Sequence, residues 1–284
     1  MPRAPANGIE LEYETFGDDG APAVLLVAGW GSQLITWHHD FCAALAERGY
    51  RVIRFDNRDV GLSSKIEDGS AYTLEDMADD AAGLLDALGV DRAHVIGHSM
   101  GGMIGQTLAI HHPHRVASLM SMGSTTGAPD VGGADPGLLS VLNRLGGETR
   151  DERIDIAIAA TRATWRDTPQ FPFDEEMARY RAETSVDRAY YPVGKVRQVV
   201  AIHASGDRTL ALRQLRVPAL VVHGDNDPLI DVSGGEATAD AIPGAELVIV
   251  EGLGHVVDRR IWPRLLDAFD RLVARATVST TTGR

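Results

Sequence analysis

Residues 97–101, with the sequence GHSMG, have the composition and spacing of a turn that presents a nucleophile. The apolar run 93–96 before them predicts a buried strand, and the apolar spacing of 100–110 after them predicts a helix. Glycine is needed on both sides of the central serine, because a Cβ there would collide with neighbouring backbone while the serine is held in a strained conformation. The hydroxyl of Ser99 is therefore expected to stand exposed at the top of a sheet.

The position of Ser99 at the start of a helix suits acyl transfer. Backbone N–H groups and the helix dipole favour negative charge there, and an acyl-transfer transition state develops negative charge. The alternative is a structural role, in which Ser99 only caps the helix. Suitable partners later in the chain favour the nucleophile.

Two side chains downstream have the types needed to activate a serine. The hydroxyl needs a general base, and the base works best when a carboxylate fixes its tautomer. His255 ends the glycine-rich stretch 251–255, directly after the predicted strand 246–250, and we assign it as the base. Asp225 and Asp227 both follow the predicted strand 217–222. We prefer Asp227 as the acid because it lies deeper in its loop, and we leave Asp225 to the turn.

An oxyanion hole requires two N–H donors that converge on one oxygen. The backbone of Met100, the residue after the nucleophile, is predicted to supply one donor. The loop after the apolar run 24–28 is predicted to supply the other through Trp30. The indole of Trp30 could also form a wall of the acyl pocket, and His98 is expected to lie beside the nucleophile.

Strands and helices alternate along most of the chain, which predicts a parallel sheet whose ligands bind beyond the carboxyl ends of the strands. The rhythm breaks between residues 123 and 212, where helical patterns follow one another without a strand. We therefore predict a core of residues 1–123 and 213–284 and an inserted helical cap of residues 124–212. The predicted strands are 9–16, 24–28, 51–55, 93–96, 116–122, 217–222 and 246–250, and the predicted cap helices are 138–145, 150–165, 175–188 and 196–204.

The predicted cap carries aromatic side chains that could line a substrate pocket. We single out Trp165, Tyr190 and Tyr191, together with Trp30 and His98 outside the cap. For each of the cap aromatics, holding the cap together is an equally good interpretation.

Composition limits the partners of the protein. The chain of 284 residues has a net charge of −13 and a pI of about 5.1, which argues against nucleic acid or an anionic membrane as a partner. Its single cysteine, Cys42, cannot form an internal disulfide, and no apolar segment has the length of a signal peptide or a membrane span. We expect a cytoplasmic protein, and the sequence leaves open whether it forms a homodimer. Its only lysines are Lys65 and Lys195, an arginine preference that we ascribe to coding bias.

The motifs GHSMGG, HGDNDP and GLGH, with LLVAGWGSQLITW and RFDNRDVGLS upstream, resemble the α/β-hydrolase superfamily along essentially the whole chain. The resemblance is to its small carboxylesterases, which include methylesterases of aromatic polyketide biosynthesis. It implies an α/β-hydrolase fold with a mostly parallel sheet and an inserted cap. It also implies catalytic positions at Ser99, Asp227 and His255 and oxyanion positions at Trp30 and Met100.

One departure from that pattern concerns the oxyanion loop. Many relatives have His-Gly where this chain has Ala28-Gly29, so the backbone donor is retained but the usual side-chain support of the loop is not.

The resulting expectation is a serine hydrolase that cleaves a carboxylic ester of a small or medium, largely apolar substrate, without a cofactor or a metal. A serine at position 99 counts against haloalkane dehalogenase and epoxide hydrolase chemistry, for which this superfamily uses an aspartate. Lactone, thioester or carbon–carbon bond hydrolysis, perhydrolysis and acyl transfer remain open on the same three residues. A different class of function, ligand binding or pericyclase-like use of the pocket, is disfavoured by the intact triad.

Overall fold

Within residues 2–142 and 146–281, which the computed structural model describes, eight strands form one sheet. Residues 1, 143–145 and 282–284, which the predicted core and cap include, lie outside these ranges. The strands are β1 (Arg3–Ala6), β2 (Ile9–Phe16), β3 (Ala23–Val27), β4 (Arg51–Phe55), β5 (Ala93–His98), β6 (Val116–Met122), β7 (Ala219–Gly224) and β8 (Glu246–Val250).

The strand order in the sheet is β1-β2-β4-β3-β5-β6-β7-β8. Strands β1 and β2 are antiparallel to their neighbours, and every pairing from β4 to β8 is parallel. Strand β4 lies on one side of β3, and the strands from β5 onward lie on its other side. The strand order therefore reverses at β3, which pairs with both β4 and β5. Loops after β3, β5, β6, β7 and β8 leave the same edge of the sheet, and ligands of open α/β sheets bind at such a reversal point.

Helices cover both faces of this sheet and also fill the chain between β6 and β7. They are α1 (His39–Glu47), α2 (Leu74–Ala87), α3 (Met100–His111), α4 (Pro136–Leu142), α5 (Arg150–Trp165), α6 (Glu175–Arg188), α7 (Pro192–Ser205), α8 (Thr209–Leu212), α9 (Val232–Ala241) and α10 (Trp262–Thr281).

Strand β3 shows why the central strands are uninterrupted apolar runs. Leu25 packs into the core on the side of α2 and α3, whereas Val24 and Leu26 pack on the side of α1 and α10, and none of the three is exposed. A strand covered on both faces needs apolar residues at every position. The α/β-hydrolase fold predicted from the sequence is thus the fold observed.

The helices begin and end where local signals place them. Thr73 and Asp76 form a reciprocal capping box at the start of α2, and Thr149 with Glu152 does the same for α5. Some predicted bounds differ from the observed ones by a few residues, as for the strand predicted at 217–222 and the helix predicted at 196–204. Strand β1 was not predicted, because RAPA has too few residues to show alternation.

The helices between β6 and β7 have a small core of their own, in which Ile154 and Ile158 of α5 pack with Ala182 of α6. The end of this segment joins the larger core. Arg208, which is buried just before α8, donates hydrogen bonds to the side chain of Gln106 on α3 and to the carbonyl of Thr125.

Within the described residues, no helix is long and apolar enough to cross a bilayer. The same residues also contain no group of three or more His, Cys, Asp or Glu side chains that could hold a metal ion.

A buried ion pair fastens the loop after β4 to α2, and it yields a stability prediction. The guanidinium of Arg58 donates to both carboxylate oxygens of Asp80 at 2.6 Å, and both side chains are buried. We expect Asp80→Ala to lower the free energy of unfolding by about 3–5 kcal/mol, because the substitution leaves a buried charge without its partner. Urea denaturation of the purified variant measures the change.

Asp86 provides a matched control on the same helix. It pairs with Arg115 at the same 2.6 Å, but its side chain is 70% exposed. Asp86→Ala should therefore cost no more than about 1 kcal/mol. Equal losses in the two variants would contradict the assignment of the larger role to the buried pair.

Candidate active site

Ser99 occupies the turn between β5 and α3 with a backbone that few residues adopt. Its φ is 58° and its ψ is −125°, a conformation that costs a non-glycine residue about 1–3 kcal/mol. The flanking glycines are required as predicted. A Cβ on Gly97 would lie 2.1 Å from the carbonyl oxygen of Gly101, and a Cβ on Gly101 would lie 2.1 Å from that of Val27. Because neither glycine has a Cβ, α3 can approach β3 and β5 this closely and the turn can form.

The backbone of Ser99 is tied down on both sides, whereas its hydroxyl does not cap the helix. The N–H of Ser99 donates to the carbonyl of Met122 at 2.8 Å, and its own carbonyl accepts the hydroxyl of Ser124 at 2.9 Å. Within the described chain, its hydroxyl makes no capping hydrogen bond to the first turn of α3. The structural alternative, in which Ser99 serves as a side-chain cap, is thus not what the geometry shows.

Asp227 and His255 meet on the loops after β7 and β8. The Nδ1 atom of His255 lies 2.6 Å from Oδ2 of Asp227, and both side chains are buried. The other oxygen of Asp227 accepts the N–H groups of Leu229 and Ile230, each at 2.9 Å. The carboxylate is thereby fixed in orientation and holds one nitrogen of the imidazole, which leaves Nε2 as the nitrogen that can act on a substrate.

The electrostatics of this pair keep the carboxylate ionised. Burial alone would raise the pKa of Asp227, but the charge of His255 and hydrogen bonds from His223, His255 and the Ile230 N–H outweigh burial. The net effect holds the pKa of Asp227 well below its usual value. A negative Asp227 is what stabilises an imidazolium during proton transfer.

His98, which the sequence placed beside the predicted nucleophile, lies against His255. The two ring centroids are 4.7 Å apart, and the ring planes are tilted by 39°. Burial, together with the charge of His255, lowers the pKa of His98 to about 3. The His98 ring is therefore neutral near pH 7 and adds no competing positive charge beside the base.

Two glycines show how closely the loops at this edge of the sheet approach one another. A Cβ on Gly29, after β3, would lie 3.1 Å from Cβ of Ser99. A Cβ on Gly123, after β6, would lie 3.5 Å from both Oδ2 of Asp227 and Cε1 of His255. The site therefore lies above the edge formed by the neighbouring strands β3, β5, β6, β7 and β8.

The competing acid, Asp225, has a different partner. Its Oδ1 accepts the N–H of Gly252 at 2.6 Å, and the residue is exposed. Asp225 thus ties the loop after β7 to the loop after β8, which agrees with the turn role given to it.

The loop after β3 carries Trp30 at the position expected of an oxyanion donor, and Met100 is the first residue of α3, whose N–H has no partner within the helix. Side chains that the sequence reasoning did not single out support this loop. Asn57 donates to the carbonyl of Ala28 at 3.0 Å, and Gln198 of α7 accepts the N–H of Gly31 at 2.8 Å. These contacts replace the side-chain support that the Ala28-Gly29 sequence lacks.

A buried ion pair extends that support. Asp56 accepts the N–H of Leu34 at 2.7 Å and binds Arg188 of α6 at 2.6 Å. Gln33, between them, accepts from Arg188 at 2.9 Å. The only sequence signal for Asp56 and Asn57 was the motif RFDNRDVGLS, and no signal pointed to Arg188 or Gln198.

The aromatic residues proposed for a pocket are placed differently from one another. Tyr190 and Tyr191 line a cavity of about 110 Å³ beneath α5 and α6. Trp30 uses its indole N–H to bind the carbonyl of Lys195 at 2.7 Å, which joins the loop after β3 to α7. Trp165 is buried, donates to the carbonyl of Phe171 and lies outside the residues that line this cavity.

The carboxyl end of α5 contacts the loops that carry the acid and the base. The N–H of His255 donates to the carbonyl of Thr164 at 2.8 Å, and Asn226 donates to the carbonyl of Arg166 at 3.0 Å. A Cβ on Gly254 would lie 2.0 Å from the carbonyl oxygen of Trp165. The backbone around Trp165 therefore fixes the position of the imidazole loop.

The depressed pKa of Asp227 predicts a specific dependence of stability on pH. An aspartate has a pKa of about 3.9 in an unfolded chain, so an ionised Asp227 stabilises the fold above about pH 4, and this stabilisation is lost as pH falls through the lower folded-state pKa. We expect the difference in unfolding free energy between the wild type and Asp227→Asn to shrink as pH falls below about 4. Urea denaturation at each pH measures it, and a difference that grows in acid would contradict the assignment.

Comparison with known proteins agrees with this architecture. The family model described as alpha/beta hydrolase fold matches residues 22–257. Rhodomycin D methylesterase of Streptomyces sp. (strain C5) is 28% identical over 95% of this chain and 97% of its own length. The enol-lactonase of Burkholderia xenovorans LB400 superposes with a TM-score of 0.77 at 26% identity, covering 96% of this chain and all of that one. A hydrolase of Pseudomonas aeruginosa PA01 superposes with a TM-score of 0.74 at 28% identity over 96% of each chain. On the strength of its sheet order, its strained serine turn and these matches, the chain belongs to the alpha/beta hydrolase family.

Proposed function

We propose that this protein hydrolyses carboxylic esters through an acyl intermediate on Ser99. The observation that carries the proposal is the 2.6 Å bond between Asp227 and His255 on loops beside the strained turn of Ser99. A hydroxyl at a helix N-terminus, an oriented imidazole and a buried carboxylate are the groups that nucleophilic acyl transfer requires.

The reaction follows from the roles of these groups. The Nε2 atom of His255 takes the proton of the Ser99 hydroxyl while the oxygen attacks the ester carbonyl carbon. The carbonyl oxygen becomes an oxyanion that accepts hydrogen bonds from the N–H groups of Met100 and Trp30. The C–O bond of the ester then breaks, and the departing alkoxide takes the proton from His255. Water repeats the sequence on the acyl group, which releases the acid and restores Ser99.

Similarity to a methylesterase and to an enol-lactonase supports a substrate with a carboxyl ester bond. A lactone is a cyclic ester and would use the same groups, so lactone hydrolysis is the second candidate. A panel of p-nitrophenyl esters of increasing acyl length, set against simple lactones, separates the two. Turnover of the lactones alone would replace the general esterase assignment.

We further propose that residues 124–212 act as a cap over the site. Ser99 is 7% and His255 is 8% exposed, so a substrate reaches them only if some of the covering chain moves. The contacts of Lys195 and Gln198 with the loop after β3, and of Thr164 with His255, connect this segment to both halves of the site.

The proposed nucleophile is tested by covalent labelling. We expect a fluorophosphonate to modify the folded wild type at Ser99 at neutral pH, and Ser99→Ala to remain unmodified, with peptide mass spectrometry locating the adduct. Ser99→Ala and His255→Ala should each lower kcat by several orders of magnitude, and the double variant should lose no more than either single one because the groups act as a unit. Absence of labelling in the folded wild type would favour a ligand-binding function.

The assignment of the acid is tested by two matched substitutions in one loop. Asp227→Asn should lower kcat by about 10⁴-fold, because the amide stabilises the wrong tautomer of His255 and cannot compensate an imidazolium. Asp225→Asn should lower kcat far less, since the Asp225 carboxylate accepts the N–H of Gly252, whereas the Asp227 carboxylate binds the imidazole of His255. Ester hydrolysis by both purified variants provides the measurement, and the reverse order of effects would exchange the two roles.

A further inference from the structure

The cavity of about 110 Å³ lies between the loops after β3 and β4 and the helices α5, α6 and α7. Much of its wall is apolar and comes from residues such as Val60, Ile156 and Val186, while Gln33 and the two tyrosines 190 and 191 add polar groups. Its volume is below the roughly 300–1,000 Å³ of sites for drug-sized ligands, so it suits one small portion of a substrate.

The cavity shares a loop with the proposed reaction centre. Gly31 forms part of its wall, and Gly29, two residues earlier in the same loop, lies so close to Ser99 that a Cβ on it would be 3.1 Å from the serine Cβ. Two residues of extended chain span about 7 Å. A substrate whose carbonyl lies at Ser99 and Trp30 can therefore place a group a few bonds away in the cavity.

Two cations line this cavity without an ion pair. Lys195 has no hydrogen-bond or ion-pair partner for its ammonium among residues 2–142 and 146–281, and its aliphatic stem lies against Gly31. The Arg153 guanidinium donates to the carbonyls of Gly147 and Glu148 and lies 4.2 Å from the ring centroid of Tyr190, and within the same ranges no carboxylate pairs with it. The chain has a net charge of −13, so carboxylates are abundant. Two cations without a carboxylate partner at one cavity therefore indicate that this cavity binds an anion.

The surroundings of the cavity do not neutralise these charges. Asp59, the acidic residue among the lining residues, is buried and accepts the N–H of Ile66 at 2.7 Å. Its negative charge and that of Asp56 act on Lys65, where they oppose the lowering of the lysine pKa by burial. Lys65 also donates to three backbone carbonyls and lies 5.6 Å from the ring centroid of Tyr191. The only two lysines of the chain thus lie at or beside one cavity, which coding bias does not explain.

We propose that this cavity binds a carboxylate of the substrate, so that the preferred esters carry an anionic group several bonds from the scissile carbonyl, and that Lys195 determines this specificity. The inference rests on the proposed ester hydrolysis and names its substrate class. It modifies the expectation of a largely apolar substrate: the apolar wall accepts a short carbon chain, and the cation accepts the charge at its end.

The state of Lys195 agrees with this role. Surrounding protein atoms partly desolvate the ammonium of Lys195 and lower its pKa, although the residue remains exposed to solvent. A partly desolvated cation without a partner gains more from an incoming carboxylate than a fully hydrated one does, because the attraction is stronger where the dielectric constant is lower.

The test compares the monomethyl with the dimethyl esters of succinate, glutarate and adipate, which differ within each pair only in one charge. We expect the wild type to prefer a monomethyl ester of one chain length. Lys195→Met, which keeps the stem against Gly31, should raise KM for that monoester by about tenfold to hundredfold with little change in kcat, since a hydrogen bond to a charged group is worth that much. KM for the matching diester should change by less than about twofold.

Two controls accompany this variant. Lys195→Arg keeps the charge and should retain most of the preference for the monoester. Arg197→Met removes a charge from the same helix, from a residue that binds the carbonyl of Ser70 and does not line the cavity, and should leave both esters unaffected. Equal changes for monoester and diester in Lys195→Met, or a wild type that prefers the diesters, would overturn the inference.

A binding experiment separates failure of this inference from failure of the proposed function. Calorimetric titration of Ser99→Ala with glutarate needs no turnover. If adding Lys195→Met to Ser99→Ala weakens the binding of glutarate, the carboxylate site is supported even if no ester is hydrolysed. If the single and the double variant bind glutarate with the same affinity, the site is refuted even in an active esterase.

Discussion

The close approach of α3 to the carboxyl ends of β3 and β5 is the constraint on which the rest of the site depends. Gly97 and Gly101 lie so close to neighbouring carbonyls that no side chain fits at either position. The same crowding forces Ser99 into a left-handed backbone, and its N–H and carbonyl are held by the chain around β6. The packing energy of a helix buried over Met100–Ala109 thereby maintains a strained residue whose hydroxyl does not cap the helix.

The order of strands in the sheet explains how distant residues come together. The turn of Ser99 follows β5, and the neighbouring strands on either side supply the loop of Trp30 and the loop of Gly123. Asp227 and His255 follow the next two strands. Parallel strands end at a common edge, so the residues proposed as oxyanion donor, nucleophile, acid and base, although separated in sequence, lie on neighbouring loops without any special connection.

The sequence predicted the parts of this arrangement that depend on local signals. The turn glycines, the strand and helix around Ser99 and the loop positions of Asp227 and His255 follow from residue types at short spacing. Contacts between the helical segment and the core join residues far apart in the chain, such as Gln198 with Gly31 and Thr164 with His255, and no local pattern encodes them. Lys195 was interpreted as a compositional accident for the same reason, because its place at the cavity becomes visible only when α7 is packed on the loop of Trp30.

Trapping of the acyl intermediate tests the central claim, a covalent step on Ser99, more directly than any rate does. The wild type would be mixed with p-nitrophenyl acetate, quenched in acid within milliseconds and digested for peptide mass spectrometry. The account predicts an acetyl group on the peptide that contains Ser99 and a burst of p-nitrophenol equal to the enzyme concentration when deacylation limits turnover. Hydrolysis that proceeds at full rate in Ser99→Ala, or an acetyl group found reproducibly on another residue, would contradict it.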